Sequence, residues 1–171
     1  MTNLRSYLSL VKKAKELKLI KKQVSTKYEV AGITAKLDGR EAVLFENIKE
    51  SNFRLVSNLV GTRKRFALAI GSSEEQIHET MINAIQTAKK PKIISSANFF
   101  QNKSNDLSCL PIVTHFEKES GPFITSSIVY AKNPESGEQN SSFHRMMPID
   151  NTHFSISAIK RNIIKSSAIA K

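Results

Sequence analysis

The strongest restriction on the fold lies in the second half of the chain. Four apolar-rich segments, CLPIVTHF (109–116), GPFITSSIVYAK (121–132), NSSFHRMMPID (140–150) and HFSISAI (153–159), follow one another with only short polar turns between them. Such connections are too short for the crossover that a parallel pair needs, so the segments are expected to form an antiparallel meander. Three or four strands make an open sheet with two bare edges, and bare edges need a cover. The tail KRNIIKSSAIAK (160–171) reads as helical.

The first half has a different texture. Leu4, Leu8, Val11, Ala14 and Leu17 recur at helical steps over residues 4–19, with lysines between them and Asn3 as a candidate N-cap. YEVAGITAKL (28–37) and EAVLFENI (41–48) read as strands joined at Asp38-Gly39, and FRLVSNLV (53–60) as a third. GTRKRFALAIG (61–71) reads as a short helix capped by Thr62 and closed by Gly71. A longer helix follows from Ser72, with a capping box of Ser72 and Glu75. Its expected buried face is Ile77, Met81, Ala84, Ile85 and Ala88, and Pro91 stops it. The class is therefore α+β: an N-terminal α/β domain over 1–94, a polar linker over 95–108, and a strand-rich domain over 109–171.

Composition narrows the setting. No apolar run in the 171 residues is long enough for a membrane span, and the start lacks the apolar stretch of a secretory signal. A single cysteine, Cys109, suits a reducing cytoplasm. The net charge of +11 raises the prospect of nucleic acid, a phosphate ligand or an acidic partner. Residues 1–27 hold eight Lys/Arg against the single acid Glu16. Yet Arg-Gly repeats, interleaved aromatics and tryptophan are absent, which speaks against nucleic acid. Solvated helix faces explain the same charge.

Three stretches can carry chemistry. In GTRKR (61–65), free N–H groups at a helix start favour an anion, and three cations in the first turn oppose the helix dipole unless an anion or an acid such as Glu46 or Glu50 answers them. In THFEKESGPFIT (114–125), Thr114, His115 and Thr125 either face a pocket or dress a wet face. In NSSFHRMM (140–147), an amide, two hydroxyls, a ring, a histidine and an arginine run together. Asn140 and Arg145 are five apart, so an unbroken strand puts them on opposite faces. One site can use both only if a bulge intervenes or Asn140 sits in the preceding turn.

Taken in order, LFENIKES, LVGTRKRFALAIG, LPIVTHFEKESGPFITSSIVYAKNPESG and NSSFHRMMPID resemble the N-terminal part of the UbiD-type decarboxylases, over about residues 3–160. The FHRMM form is most similar to the archaeal branch, which includes an enzyme of isoprenoid synthesis. The resemblance implies an N-terminal α/β domain followed by the first antiparallel strands of a split β-barrel of the flavin-reductase type. It implies prenylated FMN as cofactor, with its phosphate held through a divalent metal, manganese in kind, and potassium nearby. Asn140 then matches the metal ligand. Phe143, His144 and Arg145 match the segment lining the flavin, and Arg145 matches the arginine of the catalytic network. The implied reaction is non-oxidative decarboxylation of an α,β-unsaturated or aromatic acid.

The chain also departs from that pattern. It stops at Lys171, where family members continue through the remaining acids and barrel. Residues 160–162 read KRN where relatives often have PRH, Ser157 stands where several have arginine, and Ser127 where glycine is usual. Pro148 follows Arg145 in the same strand, tolerated only at an edge or bulge. The expectation is a chain inactive by itself, or a short subunit that docks onto a complementary chain or another copy. The readings to weigh against it are a non-catalytic interaction protein and a small basic phosphate- or nucleic-acid-binding protein.

Overall fold

Two small sheets organise the chain, whose computed structural model describes residues 3–89 and 93–156. The first is built on the run Ala-Val-Leu-Phe at 42–45, which forms β2 (Ala42–Phe45) and is buried at every position. A strand apolar on both faces needs cover on both. Parallel β1 (Leu17–Ile20) and antiparallel β3 (Leu55–Ser57) flank it. On one face Val43 and Phe45 pack with Val24, Val30, Ile48 and Val113. On the other, Ala42 packs with Tyr7 and Val11 of helix α1 (Leu4–Lys13) and with Leu68 and Ala69 of α3 (Arg63–Ile70). Phe45, Val43 and Val11 are fully buried. Each contributes about 1.5–3 kcal/mol by leaving water.

Local signals explain most element ends. Asn3 caps α1 in a reciprocal box with Ser6. Thr62 caps α3, and Gly71 ends it in the left-handed region at φ 70°. Two expectations are corrected. Residues 28–37 are not a strand: α2 (Glu29–Lys36) turns Val30 and Ile33 toward the core, a three-residue step that suits a helix. The first helix does not reach residue 19; Lys15 takes φ 58° and Leu17 begins β1.

Helix α4 (Ile77–Gln86) exists as expected, but its cap and cover do not. No side chain caps it, and Ser72 instead meets the Thr80 hydroxyl. Of the expected buried face only Ile77 is buried; Met81, Ala84, Ile85 and Ala88 are exposed.

The second sheet is the antiparallel meander β4 (Ile124–Lys132), β5 (Gln139–Pro148), β6 (Phe154–Ile156). Pro148 ends β5, where its missing donor interrupts nothing that follows. The expected strand 109–116 is only a pair of bridges. Thr114 pairs with Lys27 and Val113 with Phe123. Val113 thus lies in the core of the first half while its carbonyl holds the Phe123 N–H at 3.0 Å. Two short 3-10 turns, Asn98–Gln101 and Leu107–Cys109, lie between α4 and β4. Ser157, residues 160–162 and the tail helix fall outside the described residues.

Candidate functional site

Strand β5 alternates strictly from Gln139 to His144, with Asn140 opposite Ala131, Ser142 opposite Val129 and His144 opposite Ser127. These residues share one face, and all but Asn140 are half-buried. The Ser142 hydroxyl meets His144 Nε2 at 2.7 Å, and the Ser127 hydroxyl donates to the His144 carbonyl. The other face carries Ser141 opposite Tyr130 and Phe143 opposite Ile128, and continues to Arg145. It is open: Tyr130 is 80% exposed, Phe143 75% and Ile128 51%.

A bulge does intervene, but in β4. The register shifts between Ile124 and Ser127, so Thr125 and Ser126 together oppose Arg145. Bulges twist a ribbon and re-aim the side chain opposite. Arg145 points its guanidinium at the ring of Phe123, 5.1 Å from carbon to centroid. Two residues earlier, Gly121 lies so close to Met147 that a Cβ there would stand 3.3 Å from its sulfur. The Gly121–Phe123 segment therefore crosses the Arg145–Met147 end of the open face. Among the described residues no carboxylate pairs with Arg145.

The expected convergence of Asn140 and Arg145 on one cavity is corrected by this geometry. β5 itself is unbulged between them, Asn140 lies within the strand and not in its turn, and an odd spacing sends the two to opposite faces. Five residues of strand separate them by about 17 Å. Phe143 joins Arg145, and His144 joins Asn140. Phe123 is the residue that the sequence did not mark; its diagonal contact with Arg145 becomes visible only once the register is known.

The other two stretches are spent on structure. Arg65 is fully buried, and its Nη1 donates to Glu16 at 3.0 Å and to the Arg40 carbonyl at 2.6 Å. Lys64 reaches Glu16 at 2.6 Å, and Arg63 donates to the Glu74 carbonyl. The acid that answers the cations is Glu16, rather than Glu46 or Glu50. The hydrogen bond from Lys64, then that from Arg65, lower the Glu16 carboxyl below its ordinary value, against the opposing pull of partial burial. Thr114 is bound to the first half, while Glu119 accepts the His115 N–H and closes a local turn. Thr125 lies exposed in the bulge. A polar cleft of about 630 Å³ runs along Gln23, Glu46–Phe53 and Cys109, with none of β5 in its wall. Partial burial works against the charge of Glu50 there. Bonds from Ser25 and Thr26 outweigh it and leave the carboxyl low. Among the described residues, no helix is long and apolar enough to cross a membrane.

Two family models meet on this chain. The 3-octaprenyl-4-hydroxybenzoate carboxy-lyase N-terminal domain matches residues 8–85, and the Rift-related domain of the same carboxy-lyase matches residues 87–169. The chain belongs to the UbiD family. The anhydromevalonate phosphate decarboxylase of Methanothermobacter thermautotrophicus is 29% identical over 160 residues, which is 94% of this chain and 37% of that protein. Its counterpart in Methanosarcina mazei is 31% identical over 144 residues, 84% of this chain and 33% of that protein. Among solved structures, an evolved dimeric form of the UbiD-class enzyme HmfF from Pelotomaculum thermopropionicum, in complex with prFMN, superposes with a TM-score of 0.88 at 29% identity, over 94% of this chain and 39% of that one. The chain thus spans little more than a third of the length of these UbiD relatives. The α+β class expected from the sequence is that of the UbiD-class structures.

Proposed function

We propose that this chain forms the flavin-facing wall of a decarboxylase, and that Arg145 receives the carboxylate of an α,β-unsaturated or aromatic acid. The observation that carries the reading is the open face of β4 and β5. An exposed guanidinium without an acid partner among the described residues stands at the edge of a platform of Phe143, Ile128 and Tyr130. A planar ring system suits that apolar platform, and Phe143 and Ile128 are the residues that would hold a flavin there. Both named relatives above are decarboxylases, and one neighbour was solved with prFMN.

When bound, prenylated FMN supplies the electron sink for loss of carbon dioxide. The chain's own part is recognition and orientation. A guanidinium presents parallel donors that match both carboxylate oxygens. With a ring system seated on the apolar platform beside it, water would be excluded there and that pairing strengthened.

The metal fits less well. A hard cation takes six to eight oxygen ligands. The described residues contain no group of three His, Cys, Asp or Glu able to hold one, and the Asn140 amide oxygen already accepts the Ser141 N–H at 2.9 Å. Asn140 supplies one ligand at most to manganese or potassium, and no step here depends on either.

Production of the chain together with a flavin prenyltransferase tests the reading. The purified protein is expected to carry flavin absorption, and Phe143→Asp to lose it. A colourless wild-type protein defeats the proposal and favours the interaction-subunit reading, for which the same open face is the supporting observation.

A further inference from the structure

We infer that Phe123 is a positioning residue for Arg145, holding the guanidinium in the orientation in which it meets a carboxylate. The inference rests on the reading of Arg145 given above. Arg145 is exposed, and its guanidinium has no hydrogen bond or ion pair among the described residues that would fix it. A long side chain in that state samples many rotamers, and each must be frozen out when a ligand binds. The ring of Phe123 supplies the missing restraint, with the guanidinium carbon 5.1 Å from its centroid. At that distance a cation is drawn to the face of the ring.

The restraint is itself anchored. The Phe123 N–H donates to the Val113 carbonyl at 3.0 Å, and Val113 is buried with Val43 and Phe45 in the core of the first half. The close passage of Gly121 over Met147 fixes the other end of the crossing segment. The bulge at Thr125 and Ser126 leaves Arg145 without a regular partner in β4, free to lean diagonally toward Phe123. A line of rigid contacts thus runs from the sheet core to the guanidinium. The ring takes up none of the guanidinium's N–H donors, and among the described residues no other group does, so they stay open to a ligand.

The test uses the whole chain, isotope-labelled, with benzoate as the carboxylate probe. A guanidinium stacked on a ring feels its ring current, so the Arg145 side-chain N–H resonance is expected upfield of the other exposed arginines. Phe123→Leu should return it to the common position, and Phe123→Tyr should keep it shifted. Benzoate should bind about two- to fivefold more weakly to Phe123→Leu, with affinity restored in Phe123→Tyr. An unshifted wild-type resonance overturns the inference, even if Phe123→Leu fails to fold. So does unchanged benzoate affinity in a folded Phe123→Leu protein. Arg145→Gln separates the two claims. If it binds benzoate as the wild type does, the carboxylate reading of Arg145 fails. If it loses benzoate while Phe123→Leu does not, only the positioning role fails.

Discussion

Arg65 and Arg145 carry the same group in opposite circumstances. Arg65 sits in the first half, fully buried, with Nε and Nη1 committed to Asn58, Glu16 and Arg40 and only Nη2 unpaired. Arg145 sits in the second half, exposed, with one ring for company. Around Arg65 even the hydroxyl of Tyr7 is consumed, lying 2.8 Å from the carbonyls of both Leu59 and Arg65. Around Arg145 the neighbours Phe143 and Tyr130 remain largely in solvent. A basic run in the sequence therefore has no fixed meaning. In one half the charge closes the fold, and in the other it stays exposed and, among the described residues, without an acid partner.

Unfolding measurements can break that comparison. Arg65→Met should destabilise the protein by about 3–5 kcal/mol, because it strands the carbonyls of Arg40 and Asn58 and leaves Glu16 with Lys64 as its remaining cation. Arg145→Met should stay within about 0.5 kcal/mol of wild type, as surface changes do. Similar shifts in the urea midpoint for the two variants would refute the division of labour.

Acid should weaken the fold through its depressed carboxylates. The Glu16 carboxyl is held below its ordinary 4.5, first by Lys64 and then by Arg65. A depressed carboxyl contributes stability that is fully present above its unfolded pKa and fades as pH falls through its folded one. Glu50 and Asp150 are lowered too and act in the same direction. The urea midpoint should hold from pH 7 to about 5 and fall below that. Glu16→Gln should lower the plateau and flatten part of the fall. A midpoint that rises on acidification would contradict the sign.

Much of this was legible in the sequence, for local reasons. Thr62 and Gly71 mark the ends of α3 because a side-chain oxygen and a missing Cβ do the same work in any helix. The meander followed from turn length alone. The helix at 29–36 was missed because β-branched Val30, Ile33 and Thr34 outweighed the three-residue spacing of its buried positions. The stripe on α4 was legible, but what covers a stripe is a tertiary fact, and only Ile77 is covered. Of the candidate site, the sequence marked the residue types, and it marked the parity that puts Asn140 and Arg145 on opposite faces of β5. It marked neither the bulge that frees Arg145 nor the ring that receives it, since both depend on which β4 residues face β5.

A smaller effect sharpens the contrast at the aromatic residues. Tyr7→Phe should cost about 1.5 kcal/mol, because a buried and a part-buried carbonyl lose their shared donor. Chemical denaturation resolves that difference, and a neutral result would mean that water can replace the hydroxyl.

Phe143→Ser should move stability least. Three-quarters of the residue is exposed, so folding gains little from its ring. What remains is its cross-strand contact with Ile128, and such pairs contribute about 0.2–1 kcal/mol. A loss of about 0.5 kcal/mol is expected in the urea midpoint. The same substitution should have a larger effect on association. Phe143, Ile128 and Tyr130 form one apolar surface in water, and any partner that covers it gains roughly 25 cal/mol for each Å² removed from solvent. Burial of one aromatic ring against a second copy is then enough for about a tenfold change in the association constant, which sedimentation across a concentration series would resolve. If Phe143→Ser destabilised the fold as much as Tyr7→Phe while leaving association untouched, the open face would belong to the core after all. The difference between the two halves would then vanish.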